Sequence, residues 1–197
     1  MATTSFVSGF DDDDVGIHKN MDDPVEEFLT AAEDGDLEKV NQMIAEATEK
    51  SDDERHRLLG MQDEDGYTAL HRSCYNNHLD VAKALVNAGS PILLTNDAWS
   101  PLHTAACWGN ADIVGFLLST GKVDVNATTN GGLTALHLAI KSMKEDKDAV
   151  LLTVRYLLAV PGVNPSIRSN GGDTPFDLAK RISRDMMNLL EWHLKRL

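Results

Sequence analysis

A short phrase returns along this chain at nearly constant intervals, and that recurrence constrains the fold more than any other feature. The stretches "DGYTALHRSCYNNHLDVAKALVNAG", "DAWSPLHTAACWGNADIVGFLLSTG", "GGLTALHLAI" and "GGDTPFDLAK" align on Thr68, Ser100, Thr134 and Thr174, at spacings of 32, 34 and 40 residues. An earlier stretch, "FLTAAEDGDLEKVNQMI", has the same small-residue pair, turn and apolar run without the opening turn. A period in the low thirties predicts a stacked helical array, because a unit of that size cannot bury its apolar face alone and shares it with a neighbour.

Each unit has a local logic. Ser100 is placed to cap a helix through its hydroxyl, and Pro101 suits the first helical position. Thr68, Thr134 and Thr174 hold the same place. Leu102, Ala105 and Ala106 then recur at helical spacing, and the alanines permit close approach to the next helix. Gly109 turns the chain, Ile113, Val114, Leu117 and Leu118 give a second apolar face, and Gly89 and Gly121 suit the ends of second helices. The expected fold class is all-α, with about five helix-turn-helix units joined by short turns. The expected boundaries are 1–23 for an acidic, disordered N-terminal segment and 24–197 for the array. Within it the units fall at about 24–64 (a cap), 65–97, 98–130, 131–170 and 171–197. The fourth holds "KSMKEDKDAV", a lengthened connection near Lys141–Asp148. Trp192, in the closing "MMNLLEWHLKRL", is expected in the core on its helical register.

Charge is distributed unevenly. Residues 1–64 hold 19 Asp and Glu against 5 Lys and Arg, although the whole chain carries only −13. Such a field repels phosphates, so no nucleic-acid partner is expected; it suits a basic protein. No apolar run is long enough for a membrane span, and no secretory signal is expected. Two cysteines without such a signal point to a reducing compartment, nucleus or cytoplasm. "SFVSGFDDDDVG" mixes Phe6, Val7 and Phe10 with acid, the composition of a docking or activation segment.

These residues resemble the ankyrin repeat. The pattern of turn glycine, Thr-Pro-Leu-His, Ala-Ala, Gly-His and Val-Val-x-x-Leu-Leu is met nearly in full by residues 65–126, and the resemblance covers about 25–190. It implies a solenoid with short β-turn fingers. Departures are Asn77 at a turn glycine, Ala98 at a finger-turn glycine, and Asp177 where histidine is usual.

His103 and Cys107 stand four apart, a spacing that also suits a nucleophile pair or two metal ligands. Recurrence decides against that reading. His71, His103 and His137 occupy one place in successive units, so the ring does the repeat's work, bonding the Ser or Thr hydroxyl and the backbone of the adjoining turn. A catalytic cysteine also needs an oriented base, and zinc needs three or four ligands. No catalytic site, cofactor or metal is expected.

The resemblance further implies that the finger residues and those after the small pair line a concave groove. Here they are Tyr67, Trp99 and Leu133, then Tyr75 and Asn76, Cys107 and Trp108, and Lys141. On a helical wheel with Leu102 at zero, Trp108 falls at roughly 240°, off the buried stripe. Clustered Trp and Tyr are the side chains that most often carry interface energy. The expectation is therefore a monomeric, non-enzymatic adaptor that binds a protein through this groove. The alternative is an escort for a basic protein, such as a histone or ribosomal protein, using the acidic N-terminal third. "LSTGKVDVN" also fits the pattern around hydroxylated asparagines in ankyrin repeats, with Asn126 as acceptor; the simpler reading is that its amide holds a turn.

Overall fold

The computed structural model describes residues 23–142 and 146–195. Among them are eleven helices, numbered in chain order, and no strand. Ten form two rows. The first row holds α1 (Pro24–Asp34), α4 (Ala69–Tyr75), α6 (Pro101–Cys107), α8 (Ala135–Lys141) and α10 (Pro175–Ile182), each packed on the next. The second holds α2 (Leu37–Lys50), α5 (Leu79–Asn87), α7 (Ala111–Ser119), α9 (Lys147–Leu158) and α11 (Arg184–Leu194), likewise in sequence. The remaining helix, α3 (Asp52–Leu59), packs against α2.

The first-row helices start where the recurring hydroxyls stand. Thr68, Ser100 and Thr134 each accept from the backbone N–H of a histidine three residues on, and that histidine's Nδ1 faces the cap's own N–H in return. Both orphan donors are thereby satisfied. Asp177 closes the fourth box with its carboxylate, which accepts from the Thr174 N–H and hydroxyl. The aspartate thus performs the histidine's local task.

Leu70, Leu102 and Leu136, one per unit, are fully buried, as are Ala105, Ala106 and Ala139 between rows. Burying one leucine contributes roughly 2–3 kcal/mol. The core is therefore a continuous strip shared by neighbouring units, not a central cluster. Pro24 at the start of α1 and Asp23 as its cap fix the entry to the array.

The fingers between units are tight turns. In each, the first residue's N–H donates to the carbonyl four residues on: Asp63 to Tyr67, Thr95 to Trp99, Thr129 to Leu133 and Ser169 to Asp173, at 2.9–3.0 Å. Gly66, Gly132 and Gly172 take positive φ of 84°, 71° and 85° in three of them, and Ala98 is forced to 59° in the other. That conformation disfavours any residue with a Cβ.

Two features differ from the sequence expectation. Helix α3 was not foreseen; Ser51 caps it and Asp52, Asp53 and Glu54 occupy its first turn. Trp192 is not core but 55% exposed. It stands at the edge between α9 and α11, and no described helix packs beyond α11 to cover it. The acidic segment with Phe6, Val7, Phe10 and Asp11–Asp14 lies outside the described residues, apart from Asp23. So do residues 143–145 of the lengthened connection.

Candidate functional site

The ends of α4 and α6 bring two of the expected groove residues into contact. Tyr75 and Trp108 meet edge to face, with ring centroids 4.5 Å apart and planes at 65°. Trp108 caps α6 and remains 37% exposed, while Tyr75 is half-buried. Edge-to-face packing fixes both rings, so they present a preformed apolar surface and lose little freedom on binding.

Tyr67 extends this surface toward the fingers. Its ring stands edge to face with His71 at 5.7 Å. Burial and the nearby carboxylates of Asp65, Asp63 and Asp97 push its phenol up to about 12. Cys107 lies between: burial pushes its thiol up to about 11, against the opposing pull of Lys141. A thiol in that range is protonated at neutral pH and is not an activated nucleophile. Cys74, fully buried, is raised further still. Asn76 caps α4 and is exposed, Leu133 is half-buried on its finger, and Lys141 is exposed at the end of α8.

Trp99 does not join them. It is only 9% exposed, because its finger lies against its neighbour and the ring is enclosed there. Its backbone is engaged too: the N–H donates to Thr95 Oγ1 at 3.1 Å, and its carbonyl accepts from His71 Nε2 at 3.1 Å. The aromatic surface is therefore Tyr67, Tyr75 and Trp108.

On the N-terminal side of these rings is a charge cluster that the sequence did not disclose. Arg72, with its side chain 17% exposed, bonds Glu26 at 3.2 Å, Glu33 at 2.8 Å and Asp63 at 3.0 Å. One guanidinium thus serves three carboxylates, leaving the cluster net negative beside Tyr75, three residues on. No local motif reveals it, since Glu26 and Glu33 lie 46 and 39 residues away in sequence.

The scaffold beneath is a relay of side chains. His71, His103 and His137 direct Nε2 to the carbonyls of Trp99, Ala127 and Asp173, at 3.0–3.1 Å. With Nδ1 accepting from the cap, each ring is neutral and protonated on Nε2. Burial holds all three pKa values down, His71 to about 4. Asn96, Asn130 and Asn170 form a second relay: each side-chain amide donates to the preceding finger, at Glu64, Asn96 and Asn130 respectively. Its signal was present as "TN", "TN" and "SN" at the repeat spacing. Asn126 is a further bridge, donating to the Gly162 carbonyl and accepting from the Asn164 N–H, both at 2.8 Å.

Comparison with known proteins agrees with this architecture. A family model of three ankyrin repeats matches residues 28–129, and a single-repeat model matches 131–170. The chain belongs to the ankyrin-repeat family. Ankyrin repeats are protein-interaction modules, and the surface above is where this one offers aromatic side chains. The chain is 46% identical over 59 residues to the human Notch-regulated ankyrin repeat-containing protein, covering 29% of this chain and 52% of that one. It thus spans about half the length of that relative. It is 34% identical over 106 residues to human protein phosphatase 1 regulatory subunit 27, covering 53% of this chain and 63% of that protein. Mouse Rabankyrin-5 is 31% identical over 125 residues, covering 57% of this chain and 10% of that protein. Among the described residues no helix is long and apolar enough to cross a membrane, and no group of three His, Cys, Asp or Glu is placed to hold a metal ion.

Proposed function

We propose that this chain is a non-enzymatic adaptor that holds a segment of a partner protein on its concave face, with Tyr75 and Trp108 as the principal anchors. The observation that carries this reading is the fixed edge-to-face pair of half-buried Tyr75 and exposed Trp108, flanked by the acidic Arg72 cluster on one side and Lys141 on the other. Rigid aromatics with an apolar face and a polar rim are the composition of an interface hot spot. The charge order suits a segment with a basic side chain toward Glu26, Glu33 and Asp63, and an apolar one over Trp108. A relative named as a phosphatase regulatory subunit supports a regulatory role of this kind. Residence in nucleus or cytoplasm fits the cysteine usage.

The test is affinity capture from lysate with wild type beside Tyr75→Ala/Trp108→Ala, after circular dichroism shows both folded. Trp99 is left intact because its burial would confound the result. A protein held by wild type and lost from the double variant supports the groove; retention of the same proteins by both refutes it. The second reading, an escort for a basic protein, is favoured by the acidic surplus of residues 1–64. Salt separates the two. An escort loses its client steeply as ionic strength rises, whereas an aromatic-anchored contact persists.

A further inference from the structure

The two anchor rings stand where short helices are least held. Tyr75 is the last residue of α4 and Trp108 the cap that follows α6, each helix being only seven residues long. The closing carbonyls of a helix find no partner within it, so such ends fray and take their side chains with them.

One side chain joins both ends. Asn110, two residues after Trp108, stands just before α7 and makes no side-chain cap bond there. Its amide points back across the unit boundary, and Nδ2 donates to the Cys74 carbonyl at 2.8 Å and the Tyr75 carbonyl at 3.1 Å. Asn110 is 3% exposed, so these bonds are shielded from water. Its own N–H donates to the Ala105 carbonyl at 2.9 Å, which fixes it to α6. The turn that carries Trp108 is thereby tied to the helix end that carries Tyr75.

The neighbouring units show what chemistry the tie needs. His78, at the same place one unit earlier, makes a similar reach: its Nε2 donates to the Glu33 carbonyl at 2.9 Å. Asp146, at the start of α9, is a carboxylate with no proton to offer a carbonyl. It accepts from the N–H groups of Asp148 and Ala149 in its own helix.

We propose that Asn110 is the positioning residue of the aromatic pair. Its donor joins the ends of α4 and α6 and so holds Tyr75 and Trp108 at their 4.5 Å edge-to-face separation in the free chain. The bearing on binding rests on the reading of these rings as anchors. Asn110 is too deeply buried to touch a partner, so its effect on affinity passes through the rings. A surface set before the partner arrives loses no affinity to its own ordering.

The experiment reads the free full chain by nuclear magnetic resonance with labelled tyrosine, and Trp108→Ala is the reference. The part of the Tyr75 ring-proton shift that Trp108→Ala abolishes measures the geometry of the pair. Asn110→Asp keeps the shape and suits the start of α7, and at pH 8 its ionised carboxylate gives the two carbonyls no donor. It is expected to lose most of that shift with the circular dichroism of wild type. Asn110→His restores a donor, as at His78, and is expected to keep it. If Asn110→Asp does not fold, Asn110→Ser, a good helix cap too short to reach either carbonyl, carries the same expectation.

A full shift in the variant without a donor overturns the proposal. Equal loss in Asn110→Asp and Asn110→His also overturns it, since Asn110 then acts by packing alone. A partner lost from Tyr75→Ala/Trp108→Ala is expected to bind Asn110→Asp about tenfold more weakly than wild type. Undiminished affinity with the rings released overturns the role in binding. If Tyr75→Ala/Trp108→Ala keeps every captured protein, the groove reading fails by itself, because the ring shifts are read without a partner.

Discussion

The interior units and the last unit solve the same capping problem with different residues. In units two to four a histidine closes the box and its far nitrogen reaches forward, to the finger of the next unit from His71 and His137 and to Ala127, in the segment leading to the next finger, from His103. In the last unit Asp177 closes the box and reaches no further. Gly132, inside the array, lies so close to the next finger that a Cβ would meet the Asn170 backbone N at 2.8 Å; Gly172, at the end, meets nothing within 4 Å. The repeat phrase therefore contains two instructions, one for the unit itself and one for its successor. Only the second is relaxed where no successor is described.

The largest expected effect follows from removing both instructions at once. His103→Ala loses the box and the bond to Ala127, and leaves a cavity, at a cost of roughly 3 kcal/mol. Asp177→Ala is expected to cost a small fraction of that. Urea melts of the two variants beside wild type measure the ratio, and equal costs would break the comparison.

Acid separates the same two regions. Histidines with folded pKa values below the unfolded 6.5 are held neutral, so their contribution is present above about pH 6.5 and is lost as pH falls toward the folded value. For His71, held down to about 4, going from pH 7 to pH 5 removes about 2 kcal/mol. Asp177 is shifted the other way relative to its charge, with a pKa lowered from 3.8 by bonds from Thr174, so its contribution persists until pH falls below that. Amide protection factors, corrected for the intrinsic exchange rate at each pH, are therefore expected to fall across α4 and α6 on going to pH 5, with the Asp177 cap intact. Unchanged protection factors in α4 would contradict a buried neutral His71.

Two smaller effects sharpen the picture. Gly172→Ala is expected to cost roughly 1 kcal/mol, from its positive φ alone. Gly132→Ala carries the clash with Asn170 besides, for roughly 2–3 kcal/mol. Ala98→Gly relieves the one strained finger and is expected to raise stability by about 1 kcal/mol, read as a shift in melting midpoint.

What the sequence disclosed follows the same division. The helix pairs were legible because Thr68, Ser100 and Thr134 act through partners three residues away, and such short-range chemistry is written in spacing. Helix α3 carries equally local signals in Ser51 and its acidic first turn, but it falls outside the period that makes the other helices legible. The Arg72 cluster depends on contacts across units, which no local pattern records. Trp99 and Trp192 were misplaced for opposite reasons. The first occupies a finger position that looks outward in one unit but is covered by its neighbour. The second has a core register on a helix with no further described neighbour to make it core.

The asparagine relay along the fingers has a mechanical meaning. Asn96, Asn130 and Asn170 each tie one finger to the one before, so three amides set the spacing between fingers, while at the other edge Ser90 is tied to the Leu59 carbonyl and Asn126 to Gly162 and Asn164. A row of units stitched along both edges behaves as a leaf spring. Its curvature is set by the spacing of the stitches.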